Sequence, residues 1–171
     1  MVGGRTIANE STDLIWSARL IALAGIGLIG YAILFLIVNF TSFIELGLGE
    51  AEVGATADSV MAFSPKFQHY VSHLQVALSG FIAATGIAVL VFAMWGIQRG
   101  ERWAFWGAVA TAVIAVGIAL PLHYPYGLAT IGHLGLIYLD VLVFAVGVAL
   151  GLRAFMAPGA MRPAMRETSS R

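Results

Sequence analysis

The chain has 171 residues, of which 60% are hydrophobic and 11% charged, with 20 glycines, no cysteine and a formal net charge of zero. A soluble domain averages about 45–50% apolar and about 25% charged residues, so this composition excludes an ordinary soluble fold. Lack of cysteine excludes disulfides, thiolate metal sites and iron–sulfur clusters, and the balanced charge leaves no basic field to recruit nucleic acid.

Three stretches contain no Asp, Glu, Lys or Arg: Leu20 to Ile44, Phe67 to Gln98 and Trp103 to Leu139. Each exceeds the roughly 18 apolar residues that mark a membrane-spanning helix. The first span is expected over about 13–39, with Ser11, Thr12 and Asp13 as capping residues. The apolar run from Leu14 to Phe40 is longer than a signal-peptide core of about 7–15 residues, and no small-x-small cleavage site follows it, so it reads as a retained span.

A connecting segment follows, Phe40 to His69, carrying Glu45, Glu50, Glu52 and Asp58, and Gly49 to Phe63 can hold a short helix. Glu50 and Glu52 read as a solvated, helix-starting pair, whereas Glu45, next to Phe43 and Ile44, sits closest to the membrane. Ser64-Pro65 reads as a cap followed by Pro at the first helical position, which starts the second span at 65 and carries it to 98. Arg99-Gly100-Glu101-Arg102 is a tight polar turn between apolar runs, so spans two and three form a hairpin. Span three covers 103–120 and is expected to end at Pro121; Pro121 to Ala129 turns the chain, and span four covers 130–155.

The fold class is therefore all-α: an integral membrane four-helix bundle of two antiparallel hairpins in one domain, 1–157, with a disordered cytoplasmic tail, 158–171. Arg5, Arg19, Arg99, Arg102, Arg153, Arg162, Arg166 and Arg171 fall on one side of this topology and only Lys66 on the other. The positive-inside rule then places both termini in the cytoplasm of a cell whose inner (plasma) membrane holds the chain. Trp16, Trp95, Trp103 and Trp106 at one boundary, and Tyr70, Tyr124 and Tyr126 at the other, fit the same arrangement. Gly80 with Ala84, Gly107 with Thr111, and Gly147 with Gly151 are small-xxx-small pairs, expected to let helices of one bundle approach closely and, as an alternative, to form a homodimer face.

Asp140 is the only carboxylate inside a span, roughly 15 Å below the outer boundary by helical rise. Burying it there costs about 2.5–3.5 kcal/mol on the insertion scale, so it should face the bundle interior and act through hydrogen bonds, with Tyr31, Ser79 and Gln75 at similar depth. The competing reading is an interhelical bond that only fixes packing, and the functional one is proton exchange.

All four histidines map to the outer half: His69 and His73 open span two, His123 closes span three and His133 opens span four. Neutral imidazoles suit transition metals, and two from different helices can hold a haem iron, so His73, His123 and His133, with His69 peripheral and Glu45 as an oxygen ligand or proton relay, form a candidate pocket floored by Asp140. Interfacial histidines making ordinary hydrogen bonds are the plain alternative. No phosphate loop, HExxH motif or GxSxG elbow is present. Small multidrug exporters, which resemble the chain in span number, carry their membrane carboxylate in the first span, and quinone reductases of the vitamin K epoxide type need cysteines.

The leading functional expectation is an outward-facing His/Asp pocket for a small ligand: a metal ion, haem or a quinone-like molecule. The alternatives are a structural or accessory subunit of a larger membrane complex, and a proton-coupled carrier using Asp140. The topology predicts that a cysteine placed at Gly100 is protected from an impermeant thiol reagent in intact cells, while one at Gly127 is labelled; labelling at position 100 would overturn the orientation.

Overall fold

The computed structural model describes residues 3–41 and 45–156, and the tail for which disorder is expected lies outside them. All regular structure among the described residues is helical: α1 (Gly3–Thr41), α2 (Glu50–Val53), α3 (Ala57–Phe63), α4 (Pro65–Val91), α5 (Arg102–His123) and α6 (Ile131–Met156). Four stretches are long and apolar enough to cross a membrane: Thr12–Thr41, Pro65–Arg99, Arg102–His123 and Ile131–Met156.

Local chemistry sets most of the boundaries. Ser64 Oγ accepts the Phe67 N–H at 3.3 Å and Pro65 fills the first helical position, so α4 starts at the expected cap. The connecting segment holds two short helices instead of one: Glu52 reaches back to the Gly49 N–H at 2.9 Å to open α2, and Thr56 exchanges bonds with Ser59 to open α3. Two boundaries differ from expectation. Helix α1 begins at Gly3 and runs through Ser11, Thr12 and Asp13, because no proline or other breaker interrupts the stretch. Helix α5 continues through Pro121 to His123. In the last turn Pro121 removes only the bond to the carbonyl of Gly117, and the residues after it have few helical bonds left to lose.

Beyond α4 the chain widens into a π-helical turn, Phe92–Gly96, tightens into a 3₁₀ turn, Ile97–Arg99, and stops at Gly100, whose φ of +78° is open to glycine at little cost.

Helix α1 is the hub. It packs on α4 along one side and on α6 along another, and the pairs of contacting residues run in opposite senses along the two chains: Gly25 against Gly86 and Asn39 Nδ2 donating to Ser72 Oγ at 3.0 Å, with Ser17 beside Gly151 and Ile21 beside Gly147. At the Gly25–Gly86 crossing a Cβ on either residue would come within 2.8 Å or less of the other helix's backbone carbonyl. The residues Ala18, Ile21, Val89, Ala93, Ile97, Ala104, Phe105 and Ala108 form the tightest core, at the Arg99 end of the molecule. There α5 is held by Gly107 against the Phe92 ring, by Phe105 against Phe155, and by Arg102, which donates to the Phe155 carbonyl at 2.7 Å.

All the buried residues of α5 lie between Ala104 and Ala112. Past Ala112, α5 lines a cavity together with α1, α4 and α6, and its last turn, at His123, lies against the start of α6.

Of the small pairs, Gly147/Gly151 and Gly107 take up contacts within the chain. Gly80 and Ala84 do not: a Cβ at Gly80 would meet nothing within 4 Å, and Ala84 is exposed. Helix α4 meets α1 along the stripe Ser72, Ser79, Gly86 instead, because Asn39 and Gly25 of α1 fit that stripe. Gly86→Leu is therefore expected to cost about 1–3 kcal/mol through overpacking, and Gly80→Ala nothing or a slight gain, measured by thermal unfolding in detergent.

Candidate functional site

The segment after α1 returns to touch the start of α6. Gly47 has φ +76° and lies on Gly132, so closely that a Cβ would overlap the Gly132 carbonyl. This contact lets the Leu46 carbonyl accept a 2.7 Å hydrogen bond from His133 Nδ1, a pairing across 87 residues of chain. Thr130 Oγ1 accepts the His133 backbone N–H at 3.2 Å and fixes the first turn of α6. His133 is only 2% exposed as a result, and its Nε2, buried without a hydrogen-bond partner, lies 3.5 Å from Glu45 Oε2.

His123 arrives from the last turn of α5. Its Nδ1 bonds the Ala119 carbonyl at 2.9 Å, and its ring lies 5.2 Å from that of His133, tilted by 37°. The turn between α5 and α6 holds this register through Gly127, at φ +73°, and a 2.8 Å bond between the Tyr124 and Tyr138 hydroxyls.

Below these groups lies a cavity of about 550 Å³, bounded by α5 and the other three long helices. Its size falls within the roughly 300–1,000 Å³ of small-molecule pockets. The walls are mostly apolar, with Leu28 and Phe35 of α1, Phe81 and Ile82 of α4, Ile114 and Leu120 of α5 and Ile137 of α6. The polar groups are Tyr31, Glu45, His123 and His133, with Thr85 and Thr111 on the walls. A second cavity of about 250 Å³ adjoins it, shares Leu28 and Val116, and contains Asp140.

The sequence-derived candidates thus separate. The structure brings Glu45, His123 and His133 together, with Tyr31 in the same cavity. It leaves His69 and His73 on the exposed face of α4, because the stripe turned toward α1 is the one containing Ser72 and Ser79. Asp140 does not join the expected partners: its carboxylate lies over Gly27, and no hydrogen bond reaches it among the described residues. Ser79, buried on α4, donates to the Gln75 carbonyl of its own helix at 2.9 Å. Among the described residues no group of three or more His, Asp or Glu side chains is arranged to hold a metal ion. Sequence reasoning missed Leu46 and Gly47, which position the site, and Thr85 and Thr111, whose hydroxyls inside uncharged stretches were a usable signal.

Compared with protein-family models, curated proteins and solved structures, the chain matches none of them.

Gly47→Val combines a strained backbone with an overlap on Gly132, so it is expected to release the segment from α6. Amide hydrogen exchange at Leu48, whose N–H bonds the Glu45 carbonyl at 3.1 Å, should accelerate at least tenfold, while exchange in the α1–α4 crossing stays unchanged.

Proposed function

We propose that the chain is a multi-pass protein of the inner (plasma) membrane, inserted as helical hairpins with both termini and Arg99–Arg102 on the cytoplasmic side, that binds a quinone-like amphipathic molecule in the large cavity. The observation that carries this reading is the pairing of apolar walls with a cluster of polar groups at one end, Tyr31, Glu45, His123 and His133. An apolar body buries against the walls, and a polar head meets the cluster. Of the three ligand classes expected from the sequence, an organic molecule has the most support: the volume accommodates a substituted ring with part of a tail, and the polar groups fit hydrogen bonding to a ring substituent.

The carrier reading keeps one specific support, the position of Asp140 in a cavity that adjoins the first across Leu28 and Val116. Under that reading Asp140→Asn abolishes proton-linked transport in vesicles but leaves ligand binding intact. Under the binding-protein reading no proton flux accompanies the ligand. The accessory-subunit reading predicts stable co-purification with a larger complex instead.

The test is ligand-dependent stability of purified protein in nanodiscs, using decyl-substituted benzoquinone and hydroquinone. At a hundredfold excess over Kd, binding to the folded state should add about 2.7 kcal/mol. Ala119→Phe, placed to fill the cavity, should fold and lose that increment. Absence of stabilisation by either probe, or an increment unchanged in Ala119→Phe, would overturn the proposal.

A further inference from the structure

The hydrogens of the polar groups around the large cavity are already engaged, nearly all of them, with the protein backbone. A carbonyl oxygen only accepts, so the bonds to Leu46 and Ala119 put the hydrogen of each neutral ring on Nδ1 of His133 and His123. Each Nε2 is then a lone pair, and that of His133 is buried without a partner. Thr85 Oγ1 donates to the Phe81 carbonyl and Thr111 Oγ1 to the Gly107 carbonyl, both at 2.8 Å, so these hydroxyls also offer the cavity lone pairs. An ionised Glu45 accepts only. Tyr31 alone among the cavity's polar side chains keeps a hydrogen that no described residue engages.

We propose that this site selects a head group that donates hydrogen bonds, an aromatic ring bearing hydroxyls on an apolar tail, over the same ring bearing carbonyls. This rests on the binding reading above and specifies its ligand as a hydroquinone. A carbonyl oxygen directed at His133 Nε2, His123 Nε2 and Glu45 faces lone pairs and leaves all of them unsatisfied. A ring hydroxyl donates its one hydrogen to one of these acceptors, which a carbonyl cannot do. Sites built to bond a substrate hydroxyl discriminate strongly against analogues that lack it, because the buried partners are then left bare.

The experiment compares three probes with one decyl tail, the hydroquinone, the benzoquinone and the hydroquinone dimethyl ether, titrated anaerobically into protein in nanodiscs at pH 8. The hydroquinone is expected to bind at least tenfold more tightly than either of the others. Glu45→Gln replaces an acceptor with an amide that also donates, so it should narrow the hydroquinone-to-quinone ratio to threefold or less. Decyltrimethylammonium, a cation with no N–H, should bind no better than the ether. Equal affinities for the three ring probes, all lost in Ala119→Phe, would overturn donor selection and leave the cavity reading standing. No binding of any ring probe would overturn both. A ratio unchanged in Glu45→Gln, or tight binding of the quaternary cation, would overturn the assignment of a donating head to this end of the cavity.

Discussion

The hydrogen bond from His133 Nδ1 to the Leu46 carbonyl governs the arrangement of this end of the molecule. It joins a connecting segment, which has no long helix to hold it, to the first turn of α6. The bond exists because Gly47 and Gly132 let two backbones touch, and because Thr130 fixes the turn from which His133 projects. Three consequences follow from one contact. Glu45 is delivered to the cavity, the tautomer of His133 is set, and a polar nitrogen is buried without a partner beside a carboxylate. A buried polar atom left unmade costs on the order of 1–3 kcal/mol, and a fold retains such a cost most readily where a ligand offsets it.

The cavity itself comes from unequal packing. Helix α1 lies close to α4 and α6 through glycine contacts, whereas α5 is fastened at its N-terminal half by Phe105, Gly107 and Arg102, and at its far end by the contact of His123 with His133. Interior packing density leaves few voids larger than a water molecule, so an opening of this volume marks a place where the helices are held apart by their anchoring and not drawn together.

Four long helices, the Ser64-Pro65 cap and the polar turn at Arg99–Arg102 were legible in the sequence because length, charge and capping chemistry each leave a local trace. The grouping of Glu45 with His123 and His133 followed from depth along the spans, which counting residues supplies. Rotation about the helix axis was not legible. His73 and Gly80 were expected on the inward face of α4, yet apolar side chains lie all round the later turns of α4, and hydrophobic pattern cannot choose which face packs on a neighbour. What chose was complementarity at two points, Asn39 with Ser72 and Gly25 with Gly86, and this belongs to the pair of helices and to neither alone. Asp140 illustrates the same gap. Its position along the chain was readable, but its placement over Gly27, without a hydrogen bond to Tyr31, depends on how α6 fits against α1.

The seating of α5 also bears on how a molecule would reach the pocket. In the membrane-spanning arrangement proposed above, an opening between α5 and its neighbours would lie among acyl chains, and a ligand would enter sideways from the bilayer at a working concentration equal to its partition coefficient multiplied by the bulk value. The polar cluster lies at one end of the cavity. Under the same proposal, a tailed molecule in the leaflet on that side enters with head and tail in register, whereas one in the opposite leaflet must first turn over.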